Sequence, residues 1–154
     1  MVKSSKAKQT DLIYKFLIFY SRGNGGRMDN SVHKHFDFFL CEVEADIAEE
    51  EAEQLKTFFT GACSHLDSWQ RNIVFERLTP ILDKLHETAA RNRAEAERRK
   101  ANIENAADPE IKEILQLFYI KRITLERMAD ILYCDRTTIS RKVKRYCKKY
   151  LDKG

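Results

Sequence analysis

The chain has 154 residues and a net charge of +4, and 43% of its residues are hydrophobic. This composition is enough to bury a helical core in one domain or two small ones. Five Gly and two Pro are too few for a sandwich or barrel with many turns, and no apolar run approaches the length of a transmembrane helix. We therefore predict an all-α fold, with no membrane among its partners.

The first 27 residues divide into three predicted segments. Residues 1–9 are polar and rich in Lys and Ser, which predicts a disordered basic tail. Thr10 is a candidate cap for the following DLIYKFLIFY, whose apolar residues recur at helical spacing, although a β-strand is the alternative for so short and aromatic a run. Gly23, Gly25 and Gly26 then mark a loop that lacks the Lys-Ser/Thr of a nucleotide-binding loop.

From Asn30 an apolar pattern predicts a longer helix, which runs into seven acids between Glu42 and Glu53. A carboxylate cluster of this kind is typical of a solvated face. The alternatives are a docking patch for a basic partner or an intramolecular mask for the basic tail. Another helical face ends near Asp67-Ser68, a candidate cap for the next helix. The predicted core residues of that helix are Trp69, Ile73, Val74 and Leu78.

Thr79-Pro80 is interpreted as the N-cap and first residue of a long helix from Ile81 to about Ala106. Its second half, RNRAEAERRKANIEN, is polar on nearly all sides. Such a helix is either a solvent-exposed connector or one strand of a weak coiled coil, and the sparse apolar residues favour the connector. Asp108-Pro109 ends it. Residues 10–106 are thus predicted to serve oligomerisation or partner docking.

The C-terminal segment contains two short apolar patterns separated by a break. Thr124 is a favoured N-cap for a helix whose apolar residues recur at i, i+3, i+4 and i+7. Asp135 is a second N-cap candidate, and Ile139, Val143, Tyr146 and Tyr150 follow at helical spacing as a buried stripe. The spacing predicts a helix-turn-helix, in which the second helix enters the major groove of DNA.

The distribution of charge supports a nucleic-acid partner. Residues 1–27, 28–106 and 107–154 carry net charges of +5, −6 and +5, and from Cys134 onward eight basic residues face two acids. A basic cluster on one helix is the electrostatic footprint of a nucleic-acid-binding surface. The outward side of the second helix carries Thr137, Arg141, Lys144 and Lys148, with Thr138 and Arg145 beside them.

The segment resembles region 4 of sigma-70-type factors, a C-terminal helix-turn-helix. The matching positions are Ile123-Thr124, Met128-Ala129, Leu132, Asp135-Arg136, Thr138-Ile139 and Ser140-Arg141. The resemblance covers residues 111–150. Tyr133 departs from it, since these motifs have Gly there and a left-handed non-Gly residue costs about 1–2 kcal/mol. A wider turn is therefore expected. The layout of the whole chain is similar to small phage late-gene regulators of the ArpU and RinA kind.

These observations predict a cytoplasmic, sequence-specific transcriptional regulator, and the second resemblance implies phage origin. Residues 109–154 would form the DNA-binding domain. The alternative is an interaction module that docks on RNA polymerase or another transcription factor, and a homo-oligomer through residues 10–106 is a further expectation. The predicted base-reading residues are Arg136, Thr137, Thr138, Ser140 and Arg141. The predicted phosphate-contacting residues are Thr124, Lys142, Lys144, Arg145, Lys148 and Lys149.

The remaining chemistry-bearing residues favour no active site. Cys41, Cys63, Cys134 and Cys147 show no CxxC spacing and follow no signal peptide, so reduced thiols in the cytoplasm are expected. The histidines and cysteines between His33 and His65 fit none of the common zinc spacings, so we predict neither a metal nor another cofactor. No catalytic constellation is apparent in residues 1–106, and the protein is not expected to be an enzyme.

Overall fold

The computed structural model describes residues 28–152, and all regular secondary structure in that range is helical. The predicted tail 1–9, the predicted helix from Thr10 and the glycine loop lie outside the described residues. Residues 28–152 form six α-helices: α1 (Asn30–Phe36), α2 (Phe38–Ala62), α3 (Ser68–Glu104), α4 (Pro109–Leu115), α5 (Leu125–Leu132) and α6 (Arg136–Tyr150). A short 3-10 turn (Cys63–His65) follows α2, and a π-turn (Gln116–Ile120) follows α4. The prediction of an all-α fold is confirmed.

The helix predicted from Asn30 is interrupted at Asp37. The backbone N–H of Asp37 donates to the carbonyl of His33 and closes α1, while its carboxylate accepts from the N–H of Leu40 at 3.4 Å and opens α2. An acidic side chain that can satisfy a free N–H at a helix start is a common N-cap. One residue therefore divides the predicted helix into two.

Asp67 caps α3, as its sequence position predicts. Its carboxylate accepts from the N–H of Gln70 at 2.8 Å, and the Gln70 side chain accepts from the N–H of Asp67 at 3.2 Å. This reciprocal pair is a capping box. The predicted boundary at Thr79-Pro80 is wrong, because Pro80 lies inside α3 and the hydroxyl of Thr79 donates to the carbonyl of Phe75 within the same helix. The long helix thus begins at Ser68.

The second half of α3 is not a free connector, because it packs antiparallel to α2. Ala45 and Ala48 of α2 are buried against Ala89 of α3, and small side chains let two helix backbones approach closely. Ala89, Ala96 and Ile103 recur every seven residues and are all buried. The coiled-coil alternative, formed within one chain, describes this half of α3 better than the connector does.

The acidic stretch of α2 pairs with basic residues of α3. The guanidinium of Arg93 donates to Asp46 at 2.8 Å and to Glu49 at 2.7 Å, and Lys100 pairs with Glu42. The hydrogen bond from Arg93 lowers the pKa of the Glu49 carboxyl. Part of the predicted carboxylate cluster therefore has an intramolecular partner, which lies on α3 and not on the C-terminal basic helix.

The main hydrophobic core lies at the other end of this hairpin and contains residues from both predicted regions. Helices α4, α5 and α6 and the π-turn contribute most of it, while Val32 and Phe36 of α1 and Ile103 of α3 are fully buried in the same cluster. Residues 28–36 and the end of α3 therefore belong to the core of the C-terminal unit. The predicted domain boundary at residues 106–109 instead places these residues in the N-terminal region.

Three polar side chains of α3 hold α1 in place. Arg98, Arg99 and Asn102 donate to the backbone carbonyls of Lys34, Asp37 and His35, at 3.4, 2.8 and 3.0 Å. The last carbonyls of a helix have no partner within it, so these donors satisfy groups that burial would otherwise leave unpaired. The polar character of this part of α3 thus reflects contacts with other helices.

The four cysteines form no disulfide with one another in the structure. Burial raises the pKa of the Cys147 thiol to about 12, so this group is neutral at ordinary pH. His33 lies 2.9 Å from the Tyr119 hydroxyl, and His35 lies 2.8 Å from the Asp152 carboxylate. Within residues 28–152 no helix is long and apolar enough to cross a membrane.

Candidate functional site

Helices α5 and α6 are joined by the three residues 133–135. Thr124 caps α5 as predicted, with its hydroxyl accepting from the N–H of Arg127 at 3.3 Å. Tyr133 ends α5 in the left-handed conformation, with φ 53° and ψ 42°, and the N–H groups of Tyr133 and Cys134 both point to the carbonyl of Ala129. The wider turn expected from the missing glycine is wrong, because tyrosine adopts the glycine-like conformation itself.

The inner side of α6 packs against the core. Ile139 and Val143 are fully buried and Tyr146 is nearly so, which confirms three positions of the predicted stripe. Tyr150 is 47% exposed, and Cys147 takes the last buried position of α6. The Tyr146 hydroxyl also accepts a hydrogen bond from the N–H of Ala107 at 3.2 Å, which connects α6 to the end of α3.

The outer side of α6 carries a row of polar and basic side chains. We define the basic ridge as Thr137, Arg141, Arg145 and Lys148, which are all exposed and lie within about 50° of the direction opposite the buried stripe, at 100° per residue. None of the three cations of the ridge forms an ion pair with another residue of the range 28–152. The ridge therefore presents uncompensated positive charge to solvent.

Three carboxylates pair with the basic residues on either side of the ridge. Arg136 donates to Glu126 at 2.8 Å, Lys142 donates to Glu110 at 2.5 Å, and Lys144 donates to Asp29 at 2.8 Å. The hydrogen bond from Lys144 holds the pKa of the Asp29 carboxyl well below its usual range, and the bond to Glu110 raises the pKa of the Lys142 ammonium. These pairs connect α6 to α5, α4 and the start of α1.

The predicted site residues thus fall into three groups. Arg136, Lys142 and Lys144 are ion-paired within the chain, and Thr138 and Ser140 are half-buried at the edges of the outer side. Lys149 is exposed, and its ammonium lies 5.1 Å from the centre of the Tyr150 ring. Thr124 lies at the start of α5, where its hydroxyl serves the helix cap. The four residues of the basic ridge remain open to a ligand.

Sequence reasoning missed two features of this surface. Asp29, which pairs with Lys144, lies more than 100 residues away in the chain, and no local pattern connects the two. Tyr133, in the turn between α5 and α6, is 95% exposed. The sequence signal for Tyr133 is its departure from the glycine that the resembling motif has at this position.

No family model matches this chain, and no curated protein and no solved structure is similar enough to count as a match. The resemblance to sigma region 4 stays a prediction, as does the one to phage regulators. The arguments for function therefore rest on the geometry of the basic ridge and on its charge.

Proposed function

We propose that the protein is a sequence-specific DNA-binding regulator of transcription that uses α5 and α6 as a helix-turn-helix. The observation that carries the proposal is the basic ridge on a helix whose opposite side is fixed in the core. A recognition helix needs both properties, because its orientation must be set by packing while its outer side chains reach the DNA.

The dimensions of α6 suit the major groove. Its 15 residues make a helix of about 22 Å, and B-DNA offers a major groove about 12 Å wide that admits one α-helix. Residues in the first turns of a recognition helix reach base edges, which assigns base contacts to Thr137 and Arg141. Arg145 and Lys148, further along the helix, would then meet phosphates.

Arg141 is the residue to test first. Its guanidinium carries a planar set of donors that can pair with O6 and N7 of one guanine, a contact worth about 1–3 kcal/mol of discrimination. We expect Arg141→Ala to lower affinity for a selected site by about 5- to 150-fold more than for a scrambled duplex. Lys148→Ala is the matched control, since loss of a phosphate contact should weaken both duplexes alike.

The experiment uses the full chain. A preferred duplex is first selected from a random pool, and competition binding then compares the two variants on selected and scrambled DNA. An equal loss on both duplexes for Arg141→Ala would remove Arg141 from the base-reading residues. Failure of the full chain to enrich any duplex at low salt would overturn the proposal of specific DNA binding.

Exposed apolar side chains favour a second candidate, a module that docks on RNA polymerase or another transcription factor. Ile131 lies on the last turn of α5 and Tyr133 in the turn after it, and both are exposed. Aromatic residues are enriched in protein interfaces. A DNA-binding regulator can use both surfaces. We further propose a cytoplasmic location, phage origin and a role in binding without catalysis.

A further inference from the structure

The far end of the α2/α3 hairpin is apolar in sequence but has almost no core. Between residues 53 and 88 only Cys63 and Leu78 are buried. Trp69 is 72% exposed and Phe58 is 66% exposed, so the prediction of Trp69 and Ile73 as core residues is wrong for the single chain. The other large exposed side chains here are Ile73, Phe75 and Ile81. We call residues 54–88 the hairpin tip.

Two of these side chains, Trp69 and Ile73, share one side of α3. At 100° per residue, Trp69 lies opposite Leu78, which is buried, and Ile73 lies within about 40° of Trp69. Ile81 lies about 120° from Trp69 and about 60° from Leu78, at the edge between the exposed and the buried sides of the helix. Ala89 lies on the buried side of α3 with Leu78, whereas Trp69 and Ile73 lie on the opposite side.

The apolar area exposed at the hairpin tip is comparable with the apolar area that one partner buries in a standard dimer interface. An aromatic side chain offers about 150–250 Å², so Phe58 and Trp69 alone expose roughly 200–350 Å² at their observed exposures. Ile73, beside Trp69 on α3, adds to this exposed apolar area. A standard dimer interface takes about 800 Å² from each partner, of which about 450 Å² is apolar. The hairpin tip comes close to supplying that apolar share.

The charge of the hairpin tip indicates which partner covers it. Residues 54–88 contain four Lys or Arg and four Asp or Glu, so the tip is neutral while both ends of the chain are basic. A nucleic acid or an anionic lipid surface would require a basic excess. A neutral patch with both signs can instead meet its own copy across a two-fold axis without net repulsion.

We propose that the hairpin tip is a homodimer interface, in which the α2/α3 tips of two copies pack with Trp69, Ile73 and Phe58 at the centre. Two hairpins then form a four-helix bundle, which buries apolar sides that one hairpin leaves in water. This inference concerns the end of the molecule away from the basic ridge and does not rest on DNA binding.

The test measures mass and tryptophan emission of the full chain over a range of concentrations. Trp69 is the single tryptophan of the chain, so its emission reports on the hairpin tip alone. We expect a mass of two 18.1 kDa chains by light scattering, with blue-shifted emission that moves to the red on dilution as the dimer dissociates. Phe58→Ser and Ile73→Ser retain the tryptophan and should halve the mass and red-shift the emission at the same concentration.

Controls separate this interface from association through another surface and from loss of the fold. Ile131→Ser removes an exposed isoleucine outside the tip and should leave the mass at two chains, and circular dichroism should show unchanged helix content in every variant. A monomeric mass at all concentrations would overturn the proposal. Blue-shifted emission with a monomeric mass would show that the chain's own apolar residues 12–20 cover the tip. A dimer that survives Phe58→Ser combined with Ile73→Ser would place the interface elsewhere.

Discussion

Tyr133 holds a backbone conformation that costs free energy, and the described fold offers no packing in return. Its φ of 53° lies in the left-handed region, where a Cβ atom crowds the following carbonyl, while its side chain is 95% exposed. Among the non-glycine residues of the range 28–152, Arg122 is the other one with a positive φ, and it differs from Tyr133 in one respect. Its guanidinium carbon lies 3.8 Å from the centre of the Phe39 ring, so a side-chain contact offsets its strain.

We therefore expect Tyr133→Gly to stabilise the fold. Removing the left-handed strain gains about 1–2 kcal/mol, and the added freedom of glycine in the unfolded chain costs about 0.5–1 kcal/mol. The net gain is about 0.5–1 kcal/mol, which corresponds to a rise in Tm of about 1–4 °C for a chain of this size. No buried contact is lost, because the ring lies in solvent.

Thermal and urea unfolding followed by circular dichroism measure this change. Tyr133→Ala is the matched control, since alanine keeps the Cβ atom and should leave the Tm close to that of the parent. Arg122→Gly should give no gain, because it also removes the contact with Phe39. If Tyr133→Ala stabilised the protein as much as Tyr133→Gly, the cost would come from the exposed ring and the argument from backbone strain would fail.

Two further predictions concern charge. Lys148→Gln should flatten the slope of log K against log[salt] on duplex DNA by about one unit, since each phosphate contact contributes about 0.9. Lys144→Gln should flatten the slope less, because Asp29 already neutralises Lys144. Equal slopes for the two variants would contradict this expected difference. Burial lowers the pKa of His33 below its usual value of 6.5, so the unfolded chain binds the proton more readily than the folded one. Stability should therefore decline as pH falls below about 6.5, by at most about 1.4 kcal/mol per pH unit for this group. His33→Gln should reduce that slope in unfolding experiments between pH 7 and 5.5. An unchanged slope would assign the pH dependence to other groups.

The parts of the fold that sequence predicts best are those set by neighbouring residues. Thr124 and Asp67 each accept a hydrogen bond from a backbone N–H in the first turn of a helix, as their positions predict. The buried positions of Ile139 and Val143 follow from helical spacing. Asp135 is the N-cap of α6 by its backbone, yet its side chain makes no capping hydrogen bond. The local sequence pattern thus predicts where α6 begins, but it does not predict which hydrogen bonds stabilise that end of the helix.

Other features depend on contacts that a local pattern cannot contain. Pro80 is tolerated inside α3, although proline in a helix interior removes a hydrogen bond and is more common at a first turn. Trp69 is exposed because no helix within residues 28–152 packs against its side of α3. Helical spacing could not predict this, since the spacing is the same whether an apolar residue faces its own core or another molecule. Helical spacing therefore predicts an apolar side at the hairpin tip, but it does not identify the surface that packs against that side.

The predicted domain boundary beside the candidate site has the same weakness, because it too rests on local sequence alone. A boundary at Asp108-Pro109 marks the end of a helix, but the core around α6 also contains Val32, Phe36 and Ile103, and Asp29 pairs with Lys144 at the edge of the basic ridge. The orientation of the ridge consequently depends on α1, which in turn is held by polar donors from α3. Because α3 also extends to the hairpin tip, one 37-residue helix of about 55 Å connects the proposed dimer contact to the proposed DNA contact. The separation of two ridges in a dimer, and hence the spacing of two half-sites on DNA, would then depend on the length of α3 and on the angle at which the hairpins cross.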